Sequence, residues 1–271
     1  MHEVSLLVTC HYQDIFDQIN ESIKLCKFPN KKYVVKSGDQ DLKAPGWTIL
    51  AGIEPYIGPR NGNIGIEAIK TGDILYANDD VSYMQTDTIT ELSRLAHSDP
   101  DIGLVSPVVH GRVGNQLQEY RGMEQPELME SRKRLSFVCI YLKRGILEKV
   151  GLLDERFTGY GGDDTDYSLR VQAAGYKLMV ATRVQVKHGF GEYKCTATHC
   201  RMGTDLGGDA AAMEVLLHMK YDSVAKVGPG GYVKYNRDGK PFCCELHKKI
   251  YFKEHPEEAP NRRDQWELKR P

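Results

Sequence analysis

Short apolar runs alternate with segments of helical periodicity over the first two thirds of the chain. The run Val4–Thr9 is typical of a strand buried on both faces, and the segment after it carries apolar residues at helical spacing. The further predicted strands are Tyr33–Val35, Thr48–Leu50, Ile74–Ala77, Leu104–Val109, Ser136–Leu142 and Leu178–Val186. The further predicted helices are Ile64–Ile69, Thr86–His97, Arg144–Val150 and about Thr165–Ala174. This alternation predicts an α/β fold, in which helices cover both faces of a mostly parallel sheet.

The pattern changes after about Phe190. A polar, glycine-containing stretch, one predicted helix (Ala210–Tyr221) and a charged, proline-containing end make up the remainder. We therefore predict one domain over residues 1–190 and a C-terminal extension over residues 191–271 that packs on it. The pattern does not identify a role for the extension.

The composition is that of a soluble globular protein. The 271 residues are 41% hydrophobic and 27% charged, and 36 basic side chains face 37 acidic ones, a balance that gives no global reason to expect nucleic acid. The sequence has no apolar run of membrane-spanning length and no signal-peptide pattern at its start. Because seven cysteines are an odd number scattered over a long chain, we expect a reducing cytoplasm rather than a disulfide framework. A peripheral membrane location is the alternative.

Carboxylates follow the predicted strand Ile74–Ala77 directly, in the order Asn78-Asp79-Asp80. Open α/β sheets bind ligands at the carboxyl ends of their strands, and clustered carboxylates are typical ligands of Mg²⁺ or Mn²⁺. An asparagine–aspartate turn explains the same residues without any ligand. Both interpretations stay open on this motif alone.

A second group of carboxylates follows the glycine-rich stretch Gly159–Gly162. Asp163, Asp164 and Asp166 fall in the first turn of a predicted helix, where acidic residues ordinarily stabilise the helix dipole. Three of them exceed what capping needs, and one could act as a general base, since neighbouring carboxylates raise each other's pKa. His188 follows the last predicted strand and is a third candidate, although a lone histidine is more often structural.

Taken in order, these features resemble the family 2 glycosyltransferases, which have the GT-A fold. The resemblance covers about residues 4–190. The matching stretches are Val4–Thr9, Asn63–Ala68, Ile74–Val81, Val150–Phe157, Asp163–Asp166 with Arg170, Gly175-Tyr176 and Val186–His188. The segment Gly159–Asp166 also resembles the acceptor loop of β-1,4-galactosyltransferases, with Tyr160 where those enzymes have tryptophan.

The resemblance implies an inverting transfer of a sugar from a nucleotide-diphosphate sugar, with a UDP-sugar as the expected donor, to an acceptor hydroxyl. It implies that Asp80 and His188 hold Mn²⁺ or Mg²⁺, that Asp164 is the catalytic base, and that Asp163 hydrogen-bonds the acceptor. Asp166 is expected to brace the loop. The other implied site residues are Thr9, His11, Asp39, Arg60, Asn78 and Asp79 for the donor, and Tyr160, Gly161 and Gly162 for the acceptor.

Two departures from the family pattern keep an alternative open. Lys36-Ser37-Gly38-Asp39 stands where members usually have two aspartates after the second strand, and Gly62 stands where an arginine is common, with Arg60 nearby. The altered base-reading position is the support for a catalytically inactive sugar- or nucleotide-binding module, and the joint retention of Asp80, Asp164 and His188 speaks against that alternative. A nucleotidylyltransferase would need a glycine-rich loop that Thr9–Gln13 lacks. The acceptor stays open among a glycan, a lipid-linked sugar, a protein and modified DNA.

The cysteines near the end suggest a separate hypothesis. Cys195 and Cys200, with Cys243 and Cys244, could form a structural Zn²⁺ site for the extension together with nearby histidines. Because the spacing of Cys195 and Cys200 is not that of a standard zinc knuckle, idle or buried thiols are the alternative.

Overall fold

A computed structural model describes residues 2–26, 31–38, 41–111, 113, 115–122 and 125–189, and the positions 213, 216, 217, 220 and 221. The chain divides into two compact units. One unit comprises residues 1–158 and 163–204, and the other comprises residues 159–162 and 205–271. The predicted boundary at residue 190 stays a proposal.

The described part of the first unit alternates strands and helices in the predicted manner. Its strands are β1 (Val4–Cys10), β2 (Lys32–Lys36), β3 (Thr48–Ala51), β4 (Asp73–Asn78), β5 (Val81–Tyr83), β6 (Ile102–His110), β7 (Leu128–Glu130), β8 (Cys139–Leu142) and β9 (Lys177–His188). Its helices are α1 (Gln13–Ile23), α2 (Gly58–Ala68), α3 (Thr88–Ala96), α4 (Arg144–Val150) and α5 (Asp163–Ala173).

The nine strands found in the described residues form one sheet, in the order β3-β2-β1-β4-β8-β6-β9-β5, with β7 paired to β9. Strands β3, β2, β1, β4, β6 and β9 point the same way, because β8 lies antiparallel between β4 and β6. Strands β5, β7 and β8 run in the opposite direction. The expectation of a mostly parallel sheet is therefore confirmed.

Helices cover both faces of this sheet, as the continuous apolar runs predict. Along β1 the alternate residues Leu6 and Val8 belong to the core formed with α1 and α3, while Leu7 belongs to the core formed with α2, α4 and α5. All seven residues of β1 are buried. The run Val4–Thr9 is apolar because both sides of its strand face a core.

The structure differs from the sequence pattern at short or glycine-rich segments. Helix α2 begins at Gly58, six residues before the predicted start, with a proline in its first turn. Glycine lowers helix propensity, so the segment 58–62 carries a weak helical signal although the fold makes it helical. Strands β5 and β7 have three residues each and show no periodicity that a pattern could detect.

Candidate functional site

The aspartates after β4 are held against the end of β9 by the short strand β5. Strand β5 pairs antiparallel with β9, with Val81 opposite His188, and the Gly189 N–H donates to the Asp80 carbonyl oxygen at 2.9 Å. As a result, Oδ1 of Asp80 lies 3.2 Å from Nε2 of His188. The structure brings together the two residues that the resemblance assigns to the metal.

The chemistry of the Asp80–His188 pair fits a divalent cation. The Asp80 side chain is 1% exposed, and neither of its oxygens accepts a hydrogen bond within the described part of the chain. A buried carboxylate without hydrogen bonds is strongly unfavourable unless a positive charge lies beside it. Adjacent ligands of an octahedral cation with bonds of ~2.1 Å lie about 3 Å apart, close to the separation found here.

Asp79 follows β4 directly, at the edge where Thr9 of β1 is the register partner of Asn78. Asp79 is 7% exposed, and its charge adds to burial in raising the pKa of the Cys10 thiol well above the ordinary value. Asn78 is half-buried, and its N–H donates to the Val138 carbonyl at 3.0 Å. The predicted donor residues at this edge are thus neighbours.

Two tyrosines that the sequence analysis did not identify line the same edge. The hydroxyls of Tyr56 and Thr9 lie 3.1 Å apart. Burial is the largest cause that raises the pKa of both Tyr56 and Tyr76, and the charges of Asp79 and Asp163 add to it. Their hydroxyls therefore keep their protons at neutral pH. Tyr76 could have been found from its place two residues before Asn78, on the same face of β4.

The carboxylate pair Asp163–Asp164 opens α5, as predicted. Burial, followed by the charge of Asp164, raises the pKa of Asp163 from 3.8 to about 7. Burial also raises the pKa of Asp164, and the positive charge of Arg134 opposes that shift. Because the two groups interact, they titrate as a pair and keep a proton at a pH where an isolated aspartate has lost it.

Arg134, also missed from the sequence, holds the start of α5. Its Nη1 donates to the Thr165 hydroxyl at 2.9 Å, and the Thr165 N–H donates to Oδ1 of Asp164 at 2.6 Å. This chain of hydrogen bonds fixes the Asp164 carboxylate from one side. Arg134 comes from the segment between β7 and β8, so its role depends on tertiary structure.

Asp166 braces this helix. Its buried carboxylate receives the Arg170 Nε–H at 2.9 Å, one turn further along α5, and Arg170 also donates to the Val150 carbonyl at 3.0 Å. The side chain of Asp166 is 0% exposed and is directed into the protein. Its contacts agree with the expected structural role.

Replacing Asp166 with alanine is expected to lower the free energy of unfolding by about 3 kcal/mol, because it leaves the Arg170 guanidinium without its buried partner. Denaturant titration measures the change. Arg156→Met is the matched control, since it removes an ion pair whose arginine is 64% exposed and should cost less than about 1 kcal/mol. Equal effects of the two substitutions would contradict this assignment.

The segments that follow β1, β2 and β3 form a further polar group at the carboxyl edge of the sheet. Nδ1 of His11 lies 3.0 Å from the Ser37 hydroxyl and 3.7 Å from the Glu54 carboxylate, which also accepts the N–H of Gly38. Gly38 has a φ of +80°, and a Cβ there would lie 2.7 Å from the His11 ring. Glu54 was not predicted, and the predicted Asp39 lies outside the described residues.

Arg60 lies in the first turn of α2, where its side chain is 45% exposed. Its Nε lies 3.4 Å from the Glu155 carboxylate, which also accepts a hydrogen bond from the Asn63 amide at 3.0 Å. These contacts tie α2 to the segment after α4. The expected role of Arg60 toward donor phosphate stays a prediction.

The predicted acceptor residues Tyr160, Gly161 and Gly162 belong to the second unit. Tyr160 is 37% exposed, and both glycines have φ near +86°, a conformation that favours glycine. Within this unit the Gly159 N–H donates to the Met213 sulfur at 3.3 Å.

The hypothesised zinc ligands Cys195, Cys200, Cys243 and Cys244 lie outside the described residues. The three cysteines that the structure describes, Cys10, Cys26 and Cys139, are buried free thiols. Among the described helices, none is both long and apolar enough to cross a membrane.

Comparison with solved structures finds GalNAc-T7 with UDP, GalNAc and Mn²⁺, at a TM-score of 0.59 and 13% identity over 72% of this chain and 44% of that chain. The mannosyltransferase PcManGT from Pyrobaculum calidifontis, with GDP-Man and Mn²⁺, matches with a TM-score of 0.60 and 18% identity. The match covers 84% of this chain and 65% of that chain. S. aureus TarS 1-349 with UDP-GlcNAc matches with a TM-score of 0.52 and 12% identity over 82% of this chain and 73% of that chain.

The chain spans less than half of GalNAc-T7 and just under two thirds of PcManGT. A scan against protein-family models finds no match, and a search of the curated proteins finds no similar sequence. The agreement lies in the arrangement of strands and helices. This chain has the α/β fold of the GT-A glycosyltransferases.

Proposed function

We propose that this protein transfers a sugar, with inversion, from a nucleotide-diphosphate sugar to an acceptor hydroxyl and that it needs a divalent cation. The observation that carries the proposal is the buried Asp80–His188 pair at the end of β4, with Oδ1 and Nε2 3.2 Å apart. The Asp163–Asp164 pair supports it from the start of α5, near enough for the charge of Asp163 to act on Tyr76.

On the donor side, Asp80 and His188 would hold the cation. When bound, it supplies Lewis acidity toward the negative charge of the departing diphosphate. Asp79 and Asn78 would face the ribose or the sugar of the donor. The hydroxyl of Tyr56 can donate a hydrogen bond to a donor oxygen, since burial raises its pKa and keeps it protonated.

On the acceptor side, the acceptor oxygen forms a bond to the anomeric carbon opposite the diphosphate. The bond from that carbon to the diphosphate oxygen breaks, and its electron pair leaves with the nucleotide. Asp164 accepts the hydroxyl proton, while Asp163 hydrogen-bonds the acceptor. The raised pKa of the pair suits this role, because a base with a pKa near the working pH transfers protons efficiently.

A UDP-sugar is the proposed donor. UDP and UDP-GlcNAc in the complexes of GalNAc-T7 and TarS support this choice, and GDP-Man in the complex of PcManGT makes a GDP-sugar the next candidate. A glycan, a lipid-linked sugar, a protein or modified DNA could serve as acceptor. Mn²⁺ is the proposed cation, with Mg²⁺ as its substitute.

A binding module without turnover is the second candidate. Its support is the stretch Ser37-Gly38 directly after β2, where neither residue carries a carboxylate that could read a nucleobase. Glu54, 3.7 Å from His11, is a carboxylate near that position.

Slow hydrolysis of the donor distinguishes these candidates without an identified acceptor. We expect the protein with Mn²⁺ to release free sugar from an α-linked UDP-sugar, and the proton NMR spectrum to show the β-anomer first. Initial release of the α-anomer would contradict inversion. Nucleotide binding that depends on Mn²⁺, without turnover of any UDP- or GDP-sugar, would identify the binding module instead.

A further inference from the structure

Metal-ligating side chains also meet at the opposite, amino edge of the sheet. His2, Asp73 and His97 each offer one ligand atom, and the three atoms lie within 4.8 Å of one another. Strands β1 and β4 are parallel with Val4 opposite Asp73, so the residues just before β1 lie beside the start of β4. Helix α3 returns to the same edge and ends at Ala96, directly before His97. The topology therefore assembles this cluster from three separate segments.

The Asp73 carboxylate is buried and oriented before any ion binds. Its Oδ1 accepts the Arg144 N–H at 2.8 Å, and its Oδ2 accepts the Tyr141 hydroxyl at 2.7 Å. Nε2 of His97 lies 2.7 Å from the same Oδ2. A ligand fixed in this way loses little conformational entropy on binding a metal, and such supporting hydrogen bonds are usual around metal ligands.

The imidazole rings of His2 and His97 lie side by side. The rings of His2 and His97 are stacked, with centroids 3.5 Å apart and planes within 8° of parallel. Because the lone pair of an imidazole nitrogen lies in the plane of its ring, one ring has to turn out of this stack before both nitrogens can bind the same ion, and the exposure of His2 allows that rotation. Both histidines are solvent-accessible, so an ion can reach them while Asp73 supplies a buried negative charge.

We propose that His2, Asp73 and His97 bind a divalent transition-metal ion of the type that prefers imidazole with carboxylate, such as Zn²⁺. This site is separate from the Asp80–His188 pair, because the six residues of β4 put its two ends ~17 Å apart. By binding all three residues, the ion links His2, before β1, to the start of β4 and to the residue after α3. Its role is structural, since binding to the folded state alone stabilises that state.

The test is a calorimetric titration of Zn²⁺ into the full chain without a histidine tag, in an Asp80→Asn/His188→Gln background that removes the other pair. We expect saturable binding of one ion that His97→Gln weakens at least 10-fold and His2→Gln weakens to a smaller extent. His110→Gln is the matched control, because its Nε2 contacts Gln185 at 2.9 Å and it is not part of the cluster. The control should bind as tightly as the background.

Thiolate ligands are tested by repeating the titration with Co²⁺ and reading its absorption spectrum. Bands of d–d transitions without sulfur-to-metal charge transfer support the histidine–carboxylate site. Strong charge-transfer absorption, Zn²⁺ binding that His97→Gln leaves unchanged, or no saturable binding would overturn the proposal. If His97→Gln fails to fold, His2→Gln carries the test, since His2 is exposed and precedes the first strand of the sheet.

Discussion

Asp80→Asn is expected to abolish cation-dependent sugar transfer, with a rate loss of at least about 10³-fold, equivalent to ~4 kcal/mol of transition-state stabilisation. The amide is a poor metal ligand, so the variant should also lose the thermal stabilisation that Mn²⁺ with UDP gives to the native protein. Rates of UDP-sugar hydrolysis and melting temperatures with and without Mn²⁺ measure both effects.

The same variant tests whether Asp80 is a metal ligand or an aspartate that stabilises the fold. In chelator at pH 8, Asp80→Asn should melt at no lower temperature than the native protein, because it removes a buried charge to which no described residue donates a hydrogen bond. Asp73→Asn is the matched control on the same strand. It disturbs a carboxylate that accepts the Arg144 N–H and the Tyr141 hydroxyl, so it should cost about 2 kcal/mol of stability. Strong destabilisation by Asp80→Asn would contradict the assignment of Asp80 to the metal.

Asp164→Asn is expected to reduce the rate of transfer about 10²- to 10⁴-fold, the usual contribution of a general base. Binding of UDP with Mn²⁺ should change less than about threefold, because the proposal places Asp164 against the acceptor hydroxyl and not against the nucleotide. Asp154→Asn is the control, because that carboxylate pairs with the exposed Arg156. A parallel loss of nucleotide binding and rate in Asp164→Asn would identify a donor-binding residue instead of the base.

The pH dependence follows from the raised pKa of the Asp163–Asp164 pair. The rate should increase as rising pH removes the proton that the pair retains, because a protonated carboxylate cannot accept the acceptor proton. The folded state binds more protons than the unfolded state between the ordinary pKa of 3.8 and about 7, so the contribution of the pair to stability decreases as pH rises over that range. Asp164→Asn should flatten both profiles, which chemical denaturation and rate measurements can follow.

Much of the arrangement of the candidate site could be predicted because the ends of strands are visible in a sequence. The apolar run before Asn78 ends in carboxylates, the last strand ends at His188, and parallel strands of one sheet share a carboxyl edge. The acidic residues that open α5 could be predicted from a different signal, because they follow glycines and precede the apolar face of a helix.

The residues that escaped prediction depend on long-range structure. The pairing of Val81 with His188 joins a three-residue strand to one more than a hundred positions later, and it alone brings Nε2 of His188 to Asp80. Tyr56 and Glu54 come from an irregular segment after β3, and Arg134 comes from another after β7. Local periodicity carries no information about where such segments return to the sheet.

The most direct test of the proposed donor site is a calorimetric titration of UDP into the native protein, once with Mn²⁺ and once with EDTA. We predict saturable binding of one UDP per chain with Mn²⁺, at least 10-fold weaker binding in EDTA, and loss of that difference in Asp80→Asn. Equal affinity in Mn²⁺ and EDTA, or a Mn²⁺ effect that persists in Asp80→Asn, would contradict a cation held by Asp80 and His188.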